Sequence, residues 1–288
     1  YLFEAKCRLA NPAQSSFSIV VGSINHLSIN DIDWQSLGNE DQIAAYSRIG
    51  TGIWGHIKPD VVEYGGGIKV SKNGLNLLSN KDTATELISS TLNGGSAYGN
   101  DAVGTSFATP KVTYIVAELY KLYKSEANFN NLIRALLIQG ARLPGDLFQN
   151  PTKVALQQLG YGIPSFERVT RNTDYRVTVY NTNNISSEEG QIYSVKIPEA
   201  LRKPEDDYDI LVEVTLAYTA KNRRTRQKTK SYLSTWLEWK CSKISDSYDT
   251  FKANTLSELD GKKINKSEEN NNDSLKWKIR ERDVWGEI

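Results

Sequence analysis

Hydrophobic and polar positions divide the chain into two regions of different periodicity. In the first region, a β-branched run at 17–24 (Phe-Ser-Ile-Val-Val-Gly-Ser-Ile) predicts a buried strand. Residues 60–66 (Asp-Val-Val-Glu-Tyr-Gly-Gly) predict a second strand that runs into a glycine turn. The segment between them, 28–52, is polar and interrupted by glycines, so we expect a loop there.

Two amphipathic helices follow a stretch rich in Gly, Asn and Ser at 91–104. From Thr105 to Tyr123, apolar residues recur at spacings of three and four, and these form one helical stripe: Phe107, Ala108, Val112, Ile115, Val116, Leu119 and Leu122. Pro110 lies near the start of this helix, where a missing N–H costs little. Residues 129–139 predict a second helix whose buried side carries Leu132, Ile133, Leu136 and Leu137.

The pattern changes to period two after about residue 172, beyond a compact turn at 160–164. Four runs predict strands, with polar connections between them: Tyr175–Tyr180, Gln191–Ile197, Ile210–Tyr218 and Leu233–Trp239. The stretch 261–274 is polar enough to be a solvated loop. We therefore predict an α/β domain with a parallel sheet over 1–170, followed by an antiparallel β-sandwich over 171–288.

The composition of the chain argues against several classes of function. The chain has 288 residues, of which 39% are hydrophobic, enough for a sizeable core and two domains. Its net charge is +1, and no apolar run approaches the roughly 20 residues of a membrane span. We therefore expect neither a nucleic-acid partner nor a membrane. Two cysteines, Cys7 and Cys241, are too few for a disulfide scaffold or a zinc site, which favours a cytoplasmic setting without a metal or cofactor.

Two further features each allow two interpretations. The basic run 221–230 is either a patch for an acidic partner or a solvated hairpin loop, and its place between two predicted strands favours the loop. Four tryptophans of the second region are either a ligand platform or core residues of a small β domain, and we expect the core: Trp236, Trp239, Trp277 and Trp285.

The chain has no Met and begins with Tyr, which suggests a processed piece or a chain with residues missing.

The segment Gly104-Thr105-Ser106-Phe107-Ala108-Thr109-Pro110 carries the candidate chemistry. A Ser that opens a helix lies where several N–H groups have no partner and the helix dipole is positive. A nucleophilic Ser in that place has its own N–H available to the oxyanion that it creates. Spacing alone does not identify Ser106 as a nucleophile, because Ser and Thr are also ordinary helix caps.

The string Gly-Thr-Ser-x-Ala-Thr-Pro closely resembles the nucleophile motif of the subtilisin-like serine proteases, the subtilases. Supporting segments occur in the family's order: Pro12, Ile19–Ile24 as its "VGA" strand, Lys58–Gly65 as its "KPDVxAPG" segment, and 134–137 with 160–162 as its closing helix and turn. Glu63-Tyr64 replaces the usual Ala-Pro. The resemblance covers roughly 12–170 and implies that Ser106 attacks the peptide carbonyl, with a His as base and an Asp that orients the His.

The rest of the catalytic site is not recognisable. In subtilisin the chain order is Asp, His, Ser, yet neither His26 nor His56, the only histidines, lies in a segment that resembles the family's His motif. Asp31 and Asp33 likewise resemble no family motif. The family's oxyanion-hole Asn would fall near Asn39 if its distance from the Ser is counted back along the chain. By the order of the matching segments it would instead fall at Asn11, and we assign neither residue. We expect His26 and His56 to be ordinary polar residues, and we expect the missing half of the site to lie upstream of Tyr1 or in residues absent from this sequence.

We expect, then, the C-terminal part of a protease catalytic domain, nearly inert alone because Ser106 lacks its base. The alternatives are a non-catalytic subtilase-fold binding or regulatory module, and an unrelated interaction protein whose N-cap Ser mimics the motif. The runs Ile210–Tyr218 and Tyr232–Leu237 resemble the C-terminal sandwich of large bacterial intracellular subtilases, some of which are encoded beside AAA-class ATPases. That resemblance implies a peptide or protein substrate and an ATPase partner.

Overall fold

The computed structural model divides the chain into two units. The first comprises Tyr1–Thr182 with Thr215–Ala217, and the second comprises Asn183–Val214 with Tyr218–Ile288. The predicted division at 170/171 stays a prediction. The structure describes residues 3–15, 17–52, 56–78, 103–148, 152–186, 189–195, 211–219, 237, 240–242 and 246–264.

A parallel pair of strands lies at the centre of the first unit. Strand β1 (Val21–Ile24) pairs with strand β3 (Val61–Tyr64), with Val21 opposite Val61 and Ile24 opposite Tyr64. Both strands fall inside the predicted runs, and both are short because Gly65 and the polar segment after Ile24 end the β-branched stretches.

Both faces of this pair are buried, as parallel sheets require. Successive side chains of β3 point to opposite faces, so Val61 and Val62 enter different clusters. Val62 packs in a cluster of buried aliphatic side chains: Ile24, Ile43, Ile49, Leu143 and Leu159. Val61 packs under the helices with Val112, Leu137 and Ala141.

A second, antiparallel sheet was missed by the sequence analysis. Its order is β2 (Trp34–Ser36), β4 (Lys69–Ser71) and β5 (Leu77–Leu78). The prediction of loop throughout 28–52 is therefore wrong at β2. These strands have two or three residues each, too few for period-two alternation to be visible, and Trp34 pairs with Ser71 far along the chain.

The two predicted helices are confirmed at both ends. Helix α1 is Thr105–Tyr123 and helix α2 is Phe129–Gln139, and in α2 the three leucines and one isoleucine expected inside are buried: Leu132, Ile133, Leu136 and Leu137. They pack with Leu119 of α1. The predicted stripe is wrong at Leu122, which is 54% exposed.

Pro110 lies deeper in α1 than its predicted place near the helix start. It is the sixth residue of the helix, beyond the first turn. Its missing N–H would have bonded to the carbonyl four residues earlier, which is that of Ser106. The proline therefore removes a helical hydrogen bond from the residue that carries the candidate chemistry.

Two short helices follow and complete the first unit. Helix α3 (Lys153–Leu159) is capped by Thr152, whose hydroxyl accepts from the Ala155 N–H at 3.0 Å. Helix α4 (Phe166–Thr170) follows the turn predicted at 160–164. Gly160 and Gly162 have φ of +57° and +97°, a region where glycine is favoured.

The β-sandwich predicted for 171–288 is not confirmed. The structure assigns no strand within the described parts of the predicted runs, which are 175–180, 191–195, 211–218 and residue 237. The alternating apolar side chains there are exposed, such as Tyr175 at 99% and Val179 at 79%. Period-two alternation stabilises a strand only when a neighbour buries one face of it.

The second unit also contains a helix that was not predicted. Helix α5 is Tyr248–Ile264, so the loop expected over 261–274 is wrong at its first four residues. The rest of that loop, the basic run 221–230 and the four tryptophans lie outside the described residues. In the parts of the chain that the structure describes, no helix is both long and apolar enough to span a membrane.

A buried ion pair joins the start of β3 to the chain before β1. Lys58 Nζ lies 2.6 Å from Asp60 Oδ2, and the side chains are 0% and 1% exposed. Lys58 Nζ also donates to the Ser18 carbonyl at 2.7 Å, and Asp60 Oδ2 accepts from the Val20 N–H at 2.8 Å. These bonds fix the approach of residues 18–20 to the sheet.

Asp60→Asn is expected to lower the free energy of unfolding by about 3–5 kcal/mol, because it leaves the Lys58 charge buried without its counterion. Chemical denaturation measures this loss. The control is Glu118→Gln, which breaks the surface pair with Lys121, 69% exposed, and should cost less than about 1 kcal/mol. Equal losses in the two variants would contradict the structural role of the buried pair.

Candidate active site

Ser106 is the second residue of α1, and its side chain is exposed to solvent. The N–H groups of the first helical turn have no helical acceptor, and the helix dipole places partial positive charge there. An oxyanion formed on a carbonyl bound to Ser106 would therefore meet an available N–H. The expected placement at a helix N-terminus, outside the core, is what the structure shows.

The segment before Ser106 is attached to the carboxyl end of β3. The Gly104 N–H donates to the Gly65 carbonyl at 2.9 Å. A Cβ on Gly65 would lie 2.2 Å from Ser23 Oγ and 2.5 Å from the Gly104 carbonyl oxygen, so only glycine permits this approach. Gly66 has φ of +88°, and a Cβ on it would meet Val103 at 2.5 Å.

The backbone of Gly104 does not require the conformational freedom of glycine. Its φ of 161° is extended backbone that any residue adopts. A Cβ there would meet nothing nearer than the Ser106 nitrogen at 3.7 Å. In this segment, as far as the structure describes it, glycine is required at Gly65 and Gly66, where a Cβ would overlap neighbouring atoms.

A tyrosine hydroxyl lies among these backbone groups, and the sequence analysis did not identify it. Tyr46 Oη is 2.8 Å from the Gly65 carbonyl oxygen, 2.6 Å from that of Gly66 and 2.8 Å from Ser23 Oγ. Burial raises the pKa of Tyr46 to about 12, against the opposing effect of hydrogen bonds from Ser23 and the Gly104 backbone.

The Glu63-Tyr64 pair, which stands where the family has Ala-Pro, is integrated into the fold. Glu63 Oε2 lies 3.9 Å from Lys111 Nζ of α1. The Tyr64 hydroxyl donates to Asp41 Oδ1 at 2.6 Å, and burial, followed by the Asp41 carboxylate, raises the pKa of Tyr64. This departure therefore adds polar links between β3 and its surroundings.

The two histidines lie in different environments. His26 follows β1, and its ring contacts the Tyr64 ring edge-on with 4.9 Å between centroids. His56 is 2% exposed, and its carbonyl accepts from the Gly52 N–H at 2.9 Å. Within the described part of the chain, the Ser106 hydroxyl makes no hydrogen bond to a histidine or an aspartate.

The remaining candidate residues have local roles. Asp31 Oδ1 accepts from the N–H groups of Asp33 and Trp34 and shapes the turn before β2. Asn39 and Asn11 are exposed in loops. Across the described ranges, no group of three or more His, Cys, Asp or Glu side chains could hold a metal ion.

Comparison with known proteins decides the family. The sequence model of the Subtilase family matches residues 4–191. The chain belongs to the subtilase family. The resemblance drawn from the Ser106 motif is thereby confirmed, and the matched subtilase region begins earlier and ends later than 12–170.

A curated relative of this subtilase is a protein of Sinorhizobium fredii described as "Uncharacterized protein y4bN". The two are 28% identical over 238 residues, which cover 78% of this chain and 54% of the relative. The subtilase chain thus spans about half the length of the curated relative that it matches.

Gly65→Ala is expected to destabilise the subtilase unit by about 1–3 kcal/mol, because the new Cβ overlaps Ser23 and the Gly104 backbone. Chemical denaturation is the measurement. Gly104→Ala is the matched control, because its Cβ meets only ordinary contacts, and it should change stability by less than about 1 kcal/mol. If both variants behave alike, the close approach at Gly65 is not a constraint.

The raised pKa of Tyr46 predicts an alkaline loss of stability. The folded state favours the neutral phenol, so its contribution is complete below the ordinary pKa of 10.0 and disappears as pH rises toward about 12. Tyr46→Phe should therefore flatten the fall of unfolding free energy across that window. The exposed Tyr114, exchanged for Phe, is the control and should leave the slope unchanged. An unaltered slope in Tyr46→Phe would contradict the assignment.

Proposed function

We propose that this chain supplies the nucleophile of a subtilisin-like serine endopeptidase, with Ser106 as the acylated residue. The observation that carries the proposal is the exposed Ser106 side chain in the first turn of a 19-residue helix, within a chain of the subtilase family. We propose that the general base, a His, and the Asp that orients it lie outside residues 1–288.

The reaction would run in two halves. Ser106 Oγ attacks the scissile carbonyl carbon while its proton passes to the base, and the carbonyl oxygen becomes an oxyanion near the Ser106 N–H. Collapse breaks the C–N bond, and the base returns the proton to the departing amine. Water then repeats the attack on the ester, which frees the acid and restores the Ser106 hydroxyl.

The surroundings of Ser106 support this chemistry in physical terms. Exposure allows a peptide to reach the hydroxyl, and the positive end of α1 favours the developing negative charge. The bond between Gly104 and Gly65 fixes the segment that leads into the helix. A rigid approach to the nucleophile favours a reactive geometry.

The remaining proposals have narrower support. A peptide or protein substrate follows from the proposed reaction. An AAA-class ATPase partner and a cytoplasmic site of action rest on the sequence resemblance and on cysteine content, respectively. A non-catalytic subtilase-fold module is the competing function, and the absence of a bonded His or Asp at Ser106 among the described residues is the observation that favours it.

Labelling of the full-length gene product with a fluorophosphonate probe tests the proposal. We expect rapid modification at Ser106, and Ser106→Ala should abolish it and lower kcat by about 10⁶-fold. The matched control is Thr113→Ala on the same helix, whose hydroxyl donates to the Thr109 carbonyl at 2.9 Å, and it should react normally.

Residues 1–288 alone should react slowly, because the proposed base lies outside them. A full-length protein that resists the probe would favour the non-catalytic module. Rapid labelling of residues 1–288 alone would show that the base lies within them.

A further inference from the structure

We propose that Tyr46 is a positioning residue for the nucleophile, because its hydroxyl joins the end of β3 to the segment that enters α1. This inference rests on the proposed function of Ser106. Among the described hydrogen bonds, Tyr46 Oη is bonded to Ser23, Gly65 and Gly66 and to no reacting atom. It would act through the backbone of Gly65, Gly66 and Gly104.

The hydrogen bonds around Tyr46 Oη have a defined direction. A phenol has one proton to donate and can accept others. The carbonyls of Gly65 and Gly66, at 2.8 and 2.6 Å, can only accept, so they share the Tyr46 proton. Ser23 Oγ, at 2.8 Å, therefore donates to Tyr46. The hydroxyl thus links strand β1 to the glycine turn after β3.

The glycine turn, Gly65 and Gly66, is also hydrogen-bonded to Gly104, in the segment that leads into α1. Gly65 receives the Gly104 N–H at 2.9 Å, and the Gly104 carbonyl receives the Phe107 N–H at 3.0 Å. Four successive hydrogen bonds thus lead from Ser23 to the first turn of α1. A displacement of the Gly65 carbonyl would be passed to Gly104, two residues before Ser106.

Only a hydroxyl at this position can make the link. Phenylalanine would fill the same space and leave the Gly66 carbonyl without the bond from Tyr46. The glycines permit the close approach but do not direct it, because their backbone is intrinsically free. We therefore assign the orientation of the turn to Tyr46 and its closeness to Gly65 and Gly66.

Hydrogen exchange followed by mass spectrometry tests the link without any need for activity. Tyr46→Phe should speed exchange in a peptide that contains residues 103–107 by several-fold to about tenfold. Peptides from α2 should be unchanged. The control is Thr152→Ala, which removes a hydrogen bond of 3.0 Å at the remote cap of α3 and should leave exchange at 103–107 as it is.

Kinetics of the full-length protein test the catalytic consequence. Tyr46→Phe should lower kcat by about ten- to a hundredfold with KM little changed, because misplacement affects the reacting geometry more than substrate binding. Thr152→Ala should lose stability but keep kcat. Ser23→Ala is the second variant, and we expect smaller changes in the same direction, because Tyr46 keeps its bonds to the two carbonyls.

The outcomes separate the two proposals. A wild-type protein that does not react at Ser106 overturns the proposed function, while exchange still reports on the link. A reactive wild type with unaltered kcat in Tyr46→Phe overturns the positioning role. Equal effects of Tyr46→Phe and Thr152→Ala on exchange at 103–107 and on kcat would reduce Tyr46 to general stabilisation and overturn it as well.

Discussion

The close approach of Gly65 and Gly104 is the contact on which the candidate site depends. It places the start of α1 at the carboxyl end of β3, and it exists because residue 65 has no side chain. Carboxyl ends of parallel strands are where α/β proteins commonly build their sites. The parallel pair supplies the fixed platform, since both of its faces are buried. A mobile platform would leave Ser106 at a helix terminus without a defined orientation.

Polar groups inside the first unit are used to fix backbone segments. The Lys58–Asp60 pair holds residues 18–20 against the sheet, and Tyr46 holds the glycine turn. Apolar packing alone is non-directional and tolerates small shifts, whereas buried hydrogen bonds specify particular atoms. Packing thus supplies stability, the Lys58–Asp60 pair fixes the chain at the amino ends of the two parallel strands, and the Tyr46 bonds fix the turn at the carboxyl end of β3.

Local periodicity predicted the parts of the fold that local physics controls. Helices α1 and α2 have their expected limits, because a stripe at spacings of three and four is visible within one segment. The same reasoning failed at 175–180, where alternation is clear but Tyr175 and Val179 remain exposed. Alternation describes what a strand could bury and says nothing about whether a neighbour is present. Strand β2 was missed for the complementary reason, since its three residues acquire their strand structure from β4.

The amino-acid sequence by itself determined the family and the candidate nucleophile, because the Gly-Thr-Ser-x-Ala-Thr-Pro string is contiguous and reads without a structure. The tertiary structure alone decided which residues surround the approach to Ser106. Tyr46 and Gly65 are separated by 19 residues, and Tyr46 and Gly66 by 20. Such partners are chosen by how the chain folds back on itself, and no local pattern around Tyr46 distinguishes its hydroxyl from those of the other fourteen tyrosines. Functional residues that are contiguous in the sequence could be predicted, whereas those brought together from distant segments could not.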